Sequence, residues 1–390
     1  MRVALLAWDY PPAPSGLSTA AREIAESLAE AGADVTVFTL DRTGRTRAGG
    51  VTVEGLALPP GGGLARLRLW GALGHLAAPT AFRRAVLAAH AQAPFDVVEA
   101  TNWYAPAVLL AGRRDLPLVT RSSTPAAFTR GGEASLRDRL DGRAADALER
   151  RQARGSAGLI ANTEAHEAVI AQAYHLTGRQ PSAVIGLSLP PEIVRRARAA
   201  AYPDPDTPLH LLFVGRAELR KGFDALLAAV AILAEEQARG ALPPFQLDLV
   251  GVPPGDLPPD LGPAARQRIR ARGRIDAAAL AQAYAKAHAV LAPSRYESFG
   301  LVYQEAMAYG RPVVACAEDA SARVFVGAPG AGPLADAATG PALADAVRPL
   351  LLDPALCRAY RACALAAAGR FDRARLGRET LALYEAARRR

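Results

Sequence analysis

The residues Pro293-Ser294-Arg295-Tyr296-Glu297-Ser298-Phe299-Gly300-Leu301-Val302-Tyr303-Gln304-Glu305-Ala306-Met307 follow directly on the apolar run Ala289–Ala292. A short buried strand ends in a Pro-Ser turn, and a helical pattern opens near Phe299-Gly300. Glu297 lies in that turn, at the carboxyl end of the strand, and Glu305 lies about two helical turns further on. The first amides of a helix have no partner inside it and carry partial positive charge, so this opening is an anion site. A carboxylate on the helix can take a pair of ribose hydroxyls, and one in the turn can orient a sugar hydroxyl. The plainer reading makes Glu297 a helix-start acid and Glu305 a solvent-facing residue. Apolar neighbours on both sides of Glu305 (Leu301, Val302, Ala306, Met307) count against it.

The same strand–turn–helix unit recurs upstream. In Phe213-Val214-Gly215-Arg216-Ala217-Glu218-Leu219-Arg220-Lys221-Gly222 a strand runs into a glycine, and an arginine and a lysine flank a short loop before a helix. Arg216 and Lys221 are spaced to meet a diphosphate, while Gly215 and Gly222 let the backbone approach it. Lys221 followed by Gly excludes a Walker loop. Further strands are expected at Val3–Ala7, Val35–Thr39, Val51–Leu56, Val97–Glu99, Leu118–Thr120, Gly158–Ala161, Ala183–Ile185, Leu211–Val214, Leu247–Val250 and Val313–Ala315, with helical patterns in most gaps. This alternation predicts an α/β fold of two doubly wound Rossmann-like domains. The proline-rich run from 188 to 208 reads as a linker between an N-terminal domain (1–187) and a C-terminal domain (209–370). Residues 371–390 read as a helix packing back on the first domain. Ligands are expected in a crevice facing the carboxyl ends of both sets of strands.

With 390 residues, 51% of them apolar, the chain has material for two cores. Its net charge of +8 comes almost wholly from arginine, since Lys221 and Lys286 are the only lysines. Runs such as Arg137-Asp138-Arg139 are interleaved with acids, and no nucleic acid partner is expected. Cys316, Cys357 and Cys363 have neither metal-ligand spacing nor an even count for a disulfide framework. No metal site and no cofactor are expected. Asp204-Pro205-Asp206 reads as linker rather than as a metal motif, and Gly330–Ala335 fails as a dinucleotide fingerprint because Pro333 interrupts it. No apolar stretch reaches membrane-spanning length, and the opening segment is too short for a signal peptide, so a cytoplasmic protein is expected. The basic, Trp-containing segment Leu64–Ala78 suits either weak peripheral membrane contact or an acceptor-side loop and helix. His166, inside a helix after Thr163-Glu164, reads as a surface histidine or a cap neighbour.

The Gly-Arg…Lys-Gly loop, followed by Pro-Ser-x-Tyr-Glu-x-Phe-Gly-Leu and by Glu-Ala-Met-Ala-x-Gly-x-Pro-Val-Val, resembles the retaining glycosyltransferases of family four, which have the GT-B fold. Glu297 and Glu305 are similar to that family's paired glutamates. Pro11-Pro12 with Gly16, Asp96-Val97-Val98 and Leu159–Thr163 fall in family order. The resemblance implies a nucleoside diphosphate sugar donor and a hydroxyl-bearing acceptor. By it, Arg216 and Lys221 hold the diphosphate, Glu297 the transferred sugar and Glu305 the ribose. Gly16, Gly215, Ser298, Phe299, Gly300 and Leu301 close on the phosphates, and Arg274 with Ile275 flanks the base. In the retaining mechanism so implied, the leaving phosphate takes the acceptor's proton, and no metal is required. Glu99, Asn102 and Trp103, at the end of the strand Val97–Glu99, are candidates for the acceptor; Trp103 as a core residue is an equal alternative. Ser122 and Ser123 stand where the family carries a histidine near the sugar. The loop Ala317-Glu318-Asp319-Ala320-Ser321 replaces a glycine-rich one, and Gly16 follows Ser15 where the family has a glycine pair. Rival readings are a nucleotide-sugar epimerase or hydrolase, and a non-catalytic partner of another transferase.

Overall fold

The computed structural model describes residues 1–13, 15–56, 74–130, 135–203, 208–370 and 372–389. Asp204-Pro205-Asp206 and residues 64–73 of the basic Trp-containing segment lie outside them. The chain divides into two compact units, Met1–Ser188 with Phe371–Arg390, and Leu189–Arg370.

The first unit holds, among the described residues, an eight-stranded sheet in the order β3-β4-β2-β1-β5-β6-β7-β8. Its strands are β1 (Arg2–Ala7), β2 (Asp34–Thr39), β3 (Gly44–Ala48), β4 (Val51–Gly55), β5 (Val97–Thr101), β6 (Leu118–Arg121), β7 (Gly158–Ala161) and β8 (Ser182–Val184). All pairs are parallel except the β3–β4 hairpin. Parallel strands covered on both faces read as unbroken apolar runs, and Val3–Ala7 is buried throughout. The helices are α1 (Gly16–Glu30), α2 (Ala77–Gln92), α3 (Leu136–Arg154) and α4 (Glu164–Tyr174). Ser15 caps α1 by accepting from the Ser18 amide. Phe38, Phe82 and Phe95 centre the core under β1 and β5, each contributing about 1.5–3 kcal/mol by leaving water.

The second unit begins with α5 (Pro191–Ala199), inside the stretch read from sequence as a linker. Pro191 stands in the first turn, where its missing amide hydrogen costs nothing. Its helices continue as α6 (Phe223–Ala238), α7 (Pro263–Arg268), α8 (Ala277–Lys286), α9 (Leu301–Ala308), α10 (Gly340–Leu352) and α11 (Pro354–Ala367). Its strands among the described residues are β9 (Leu209–Val214), β10 (Phe245–Val250), β11 (Ile269–Gly273), β12 (Ala289–Ala292), β13 (Val313–Cys316) and β14 (Leu334–Ala335). They are all parallel, in the order β11-β10-β9-β12-β13-β14. The chain builds outward from β9 to β11, then returns to β12 and builds the other way. Between β9 and β12 the connections diverge, which leaves a gap above the strands' carboxyl ends. Arg311, with 0% exposure, fastens the start of this unit to its body. Its guanidinium donates to the carbonyls of Tyr284 and Ala285, at the end of α8, and to that of Ala201, at 2.8–2.9 Å. Burial holds this arginine down to about 10.

The chain returns to the first unit as α12 (Arg373–Arg388), which packs along α1. Gly377 permits the approach, since a Cβ there would stand 2.2 Å from the Ser27 carbonyl oxygen. No helix of the described residues is long and apolar enough to cross a membrane.

Candidate active site

At the gap above β9 and β12 the two loops quoted from the sequence lock together. The Arg295 amide donates to the Arg220 carbonyl at 2.8 Å. The Arg295 side chain bridges to Asp224 at 2.7 and 2.8 Å. Gly222 has a φ of +68°, and a Cβ on it would lie 1.9 Å from the Pro293 carbonyl oxygen; only glycine fits so close a crossing.

Charged side chains alternate across this junction. Arg216 pairs with Glu218 at 2.7 Å, and Glu218 meets Arg220 at 3.3 Å. Arg220 reaches Glu297 Oε2 at 3.5 Å, and Lys221 Nζ binds Glu297 Oε1. Ser294 Oγ donates to that same oxygen at 2.8 Å. Burial pushes the Glu297 carboxyl up, but Lys221 and Arg220 outweigh it and hold the group below the usual carboxylate range. Glu297 is therefore an anion with three donors around it. Among these cations Arg216 is the most open to solvent, at 70% exposure.

Residues outside the quoted loops hold Glu297 in place. Asp319 accepts from the Glu297 amide at 3.0 Å and from the Tyr303 hydroxyl at 2.8 Å, and Ser321 Oγ donates to the Glu297 carbonyl at 2.8 Å. Burial, then the neighbouring Glu297 charge, pushes Asp319 up to about 6 from its ordinary 3.8. Its folded-state value is raised, so the native protein binds more protons than the unfolded chain over this window. Its share of stability is present below pH 3.8 and is lost as pH rises through about 6. Asp319→Asn is expected to remove that part of the slope. Urea midpoints of wild type and variant compared between pH 4 and 7 check it, and parallel pH profiles would refute the assignment.

Gly300, at a φ of +78°, starts α9. The Leu301 and Val302 amides have no acceptor in the helix. Phe299 turns its ring into the core against Phe325, with centroids 5.1 Å apart, so only its main chain is open to a ligand. Glu305 is half-buried. Its Oε2 accepts from Tyr284 OH at 2.7 Å, and burial pushes its carboxyl above the usual range despite that bond. Ser298 is half-buried in the turn, Gly215 ends β9, and Arg274 and Ile275 follow β11.

In the first unit the corresponding gap lies between β1 and β5. Gly16 opens α1 there with nothing within 4 Å of a hypothetical Cβ. The acceptor reading of Glu99 fails in the structure. The side chain is 1% exposed, Arg121 donates to Oε1 at 2.7 Å, and Tyr384 of α12 donates to Oε2. Alternation along β5 turns it under the sheet, against α12. Asn102 is also buried and used internally. Its Nδ2 donates to Tyr174 OH at 2.7 Å, and its Oδ1 accepts from the Ser123 amide and hydroxyl at 2.6 and 3.1 Å. Glu149, pushed by burial up to about 7, completes this network by accepting from Tyr174 OH and from the Tyr104 and Ala126 amides. Tyr104 and Ala105 have left-handed backbones, with φ of 53° and 47°. Trp103, half-buried beside them, packs edge-on against Trp8 and Tyr104.

Of the two readings of His166 the cap neighbour holds and the surface residue does not: its amide donates to the Thr163 hydroxyl at 3.0 Å, and it is 2% exposed. Its Nε2–H donates to the Ser122 carbonyl at 3.1 Å, and burial holds the ring down to about 4, hence neutral. The fold thus brings a histidine beside Ser122-Ser123 from 43 positions downstream.

Residues 15–187 match the glycosyl transferase 4-like domain, and residues 208–353 match glycosyl transferases group 1. The D-inositol 3-phosphate glycosyltransferase of Kineococcus radiotolerans is 32% identical over 99% of this chain and 95% of that protein. The chain belongs to the group 1 glycosyltransferases. Its fold is that of GT-B enzymes. The sucrose-phosphate synthase of Thermosynechococcus elongatus superposes with a TM-score of 0.74, at 24% identity and 98% coverage of both chains. The Anabaena HepE protein, solved in complex with UDP and glucose, superposes with a TM-score of 0.65, at 20% identity and 99% coverage of both.

In this glycosyltransferase the sequence reading missed Arg220, Ser294, Asp319 and Tyr303, all of which meet Glu297 or the group that holds its amide. Arg220, Ser294 and Tyr303 lie inside the quoted motifs and could have been found there. Asp319 belongs to a different loop, and only the adjacency of β12 and β13 brings it near.

Proposed function

We propose that this glycosyltransferase is retaining and metal-independent, and that it moves a hexose-type sugar from a nucleoside diphosphate to a hydroxyl acceptor. The reading rests on one observation: Lys221, Arg220 and Glu297 meet beside the opening amides of α9, at the switch point of the second sheet. In the proposed complex Arg216, Lys221 and the Leu301 and Val302 amides face the diphosphate. Glu305 takes the ribose hydroxyls, and the segment Gly273–Ile275 flanks the base. Glu297, already ionised, accepts from a hydroxyl of the transferred sugar. The acceptor oxygen bonds to the anomeric carbon on the face the phosphate leaves. The phosphate keeps the electron pair of the broken bond and takes the acceptor's proton. No side-chain base is needed, because the departing oxygen is the base. The protein's part is positive charge fixed where negative charge grows. HepE, solved with UDP and glucose, supports a nucleotide sugar donor. Trp103, offering an aromatic face beside the Ser122-Ser123 loop, supports acceptor contacts in the first unit.

Proton NMR of the product formed from UDP-glucose and a trial acceptor tests the stereochemistry. D-inositol 3-phosphate is the first acceptor to try, given the name of the Kineococcus relative. An α-linked product from the α-linked donor is expected, and a β-linked product would overturn retention. The same assay with EDTA should retain its rate. Complete loss restored by a divalent ion would overturn metal independence.

A further inference from the structure

One buried carboxylate holds both loops that follow β5 and β6 in the first unit. Glu149, on α3, is 0% exposed. Its Oε1 accepts from the Tyr104 amide at 2.8 Å, both oxygens lie 3.3 Å from the Ala126 amide, and Oε2 accepts from Tyr174 OH at 2.7 Å. Gln152, about one turn along the same helix, shows what a neutral group does in such a place. It accepts from the Ala107 amide and donates to the Thr101 carbonyl, each at 2.8 Å. An amide at 149 would meet two N–H groups and a hydroxyl with a single oxygen, so this position is built for an anion. Burial opposes the charge and pushes the carboxyl up to about 7, and the three donors hold it from rising further. Scaffolding alone needs no such charge, as Gln152 demonstrates.

Donors and acceptors fix the hydrogens along the chain that leads away from Glu149. A carboxylate only accepts, so the Tyr174 hydroxyl donates to it and turns a lone pair to Asn102. Asn102 Nδ2 donates to that lone pair at 2.7 Å, which directs Oδ1 to Ser123, where it accepts from the amide at 2.6 Å. Ser123 Oγ lies 3.1 Å from Asn102 Oδ1 and 2.8 Å from Thr101 Oγ1. Both contacts are satisfied when Ser123 donates to Asn102 and Thr101 donates to Ser123. The opposite arrangement sets the lone pairs of Ser123 and Asn102 against each other. In each case the Ser123 hydrogen is engaged inside the protein, and this half-buried hydroxyl offers a ligand only a lone pair. The same carboxylate holds the Tyr104 amide, whose left-handed backbone, with φ of 53°, stands beside Trp103. Such a conformation costs on the order of 1–3 kcal/mol and persists only where its surroundings fix it.

We propose that Glu149 is a positioning residue for glycosyl transfer: through Tyr174 and Asn102 it sets Ser123 as the hydrogen-bond acceptor for one substrate hydroxyl. The proposal rests on the reading that the loops after β5 and β6 meet substrate. The hydroxyl belongs to the transferred sugar or to the acceptor, and the chemistry is the same for both.

Steady-state transfer from UDP-glucose to D-inositol 3-phosphate, with folding checked by thermal melts, tests it. Ser123→Ala and Tyr174→Phe are each expected to lower kcat/KM about tenfold, the effect of one hydrogen bond. The double variant is expected to fall no further than Ser123→Ala, because Tyr174 acts through Ser123. Glu149→Gln should lose at least as much as Tyr174→Phe, and the Ser123→Ala background should hide about tenfold of that loss. Deoxyfluoro analogues of the donor's sugar and of the inositol ester test the polarity, since fluorine cannot donate. One position is expected to raise KM about tenfold in wild type and not in Ser123→Ala. The series in which it falls assigns the hydroxyl to the sugar or to the acceptor. Wild-type kinetics in Ser123→Ala would remove this loop from the substrate site, and with it the reading on which the relay rests. If Ser123→Ala is impaired, three results overturn the relay and leave that reading standing: wild-type rates in Tyr174→Phe, losses that multiply in the double variant, or no sensitive position in either series.

Discussion

Lys221→Ala is expected to lower kcat/KM for glycosyl transfer on the order of a hundredfold, about 3 kcal/mol of transition-state stabilisation, while the protein stays folded. The two halves of that expectation have separate causes. The fold survives because the Glu297 carboxylate is not left bare. Ser294 still donates at 2.8 Å, Arg220 still lies at 3.5 Å, and the Glu297 main chain remains held by Asp319 and Ser321. The rate falls because the Lys221 ammonium sits on Glu297, ready to exchange that partner for a phosphate oxygen as negative charge leaves the sugar. Arg216 cannot make up the loss, since it starts from solvent and must be ordered and desolvated on binding. A fall in kcat at little-changed donor KM places the lysine's contribution in the transition state; a rise in KM alone makes it a ground-state contact. Turnover equal to wild type would remove Lys221 from the site. Lys221→Arg should recover only part of the rate, because the charge is kept but the wider guanidinium fork fits poorly in a space shaped for a compact ammonium.

The parts of this fold legible in the sequence were those buried on both faces. Val3–Ala7, Ala289–Ala292 and Val313–Ala315 read as strands because nothing but apolar residues suits their position. Three strands were not legible. β3, Gly44–Ala48, is exposed along its whole length and carries two arginines in five residues, so no hydrophobic pattern marks it. β11 alternates Ile-Arg-Ala-Arg because one face packs on the core and the other is exposed, so no continuous apolar run marks it. β14 is two residues long. The site divides in the same way. Lys221, Glu297 and Glu305 lie inside contiguous motifs whose spacing carries their chemistry. Glu99 was misjudged because its position at a strand's carboxyl end was read without its face, and the partner that claims it, Tyr384, is 285 positions away. The surface reading of His166 failed for a related reason. The sequence Thr163-Glu164-Ala165-His166 looks like an exposed first turn, and its burial is set by the Ser122 loop packing over it.

Arg373→Met is expected to cost about 3–5 kcal/mol, the usual penalty for stranding a buried charge. Glu23 on α1 has 0% exposure, and two groups answer its carboxylate. Ser188, the last residue before the chain leaves the first unit, donates at 2.6 Å. Arg373, in the first turn of α12 as the chain returns, donates at 2.9 and 2.5 Å. Arg373 also meets Glu26 and Glu30 at 2.6 and 2.9 Å, so its loss leaves three carboxylates together with one hydroxyl and Arg22 among them. A domain's whole stability is about 5–15 kcal/mol, and the penalty falls on a single docked helix. Release of α12 should therefore precede unfolding of the sheet. Hydrogen exchange of the α12 amides should speed up in the variant at urea concentrations that leave the β1 amides protected. Removing the stranded charge as well isolates the cause. Arg373→Met with Glu23→Met should recover a large part of the loss, because an apolar pair of similar volume can replace a buried ion pair at little cost. If the double variant is as unstable as the sum of the singles, the stranded charge is not the cause. The helix would then be held by its apolar stripe, Leu376, Leu383 and Ala387, and by the bonds of Tyr384 to Glu99 and of Arg121 to Thr380.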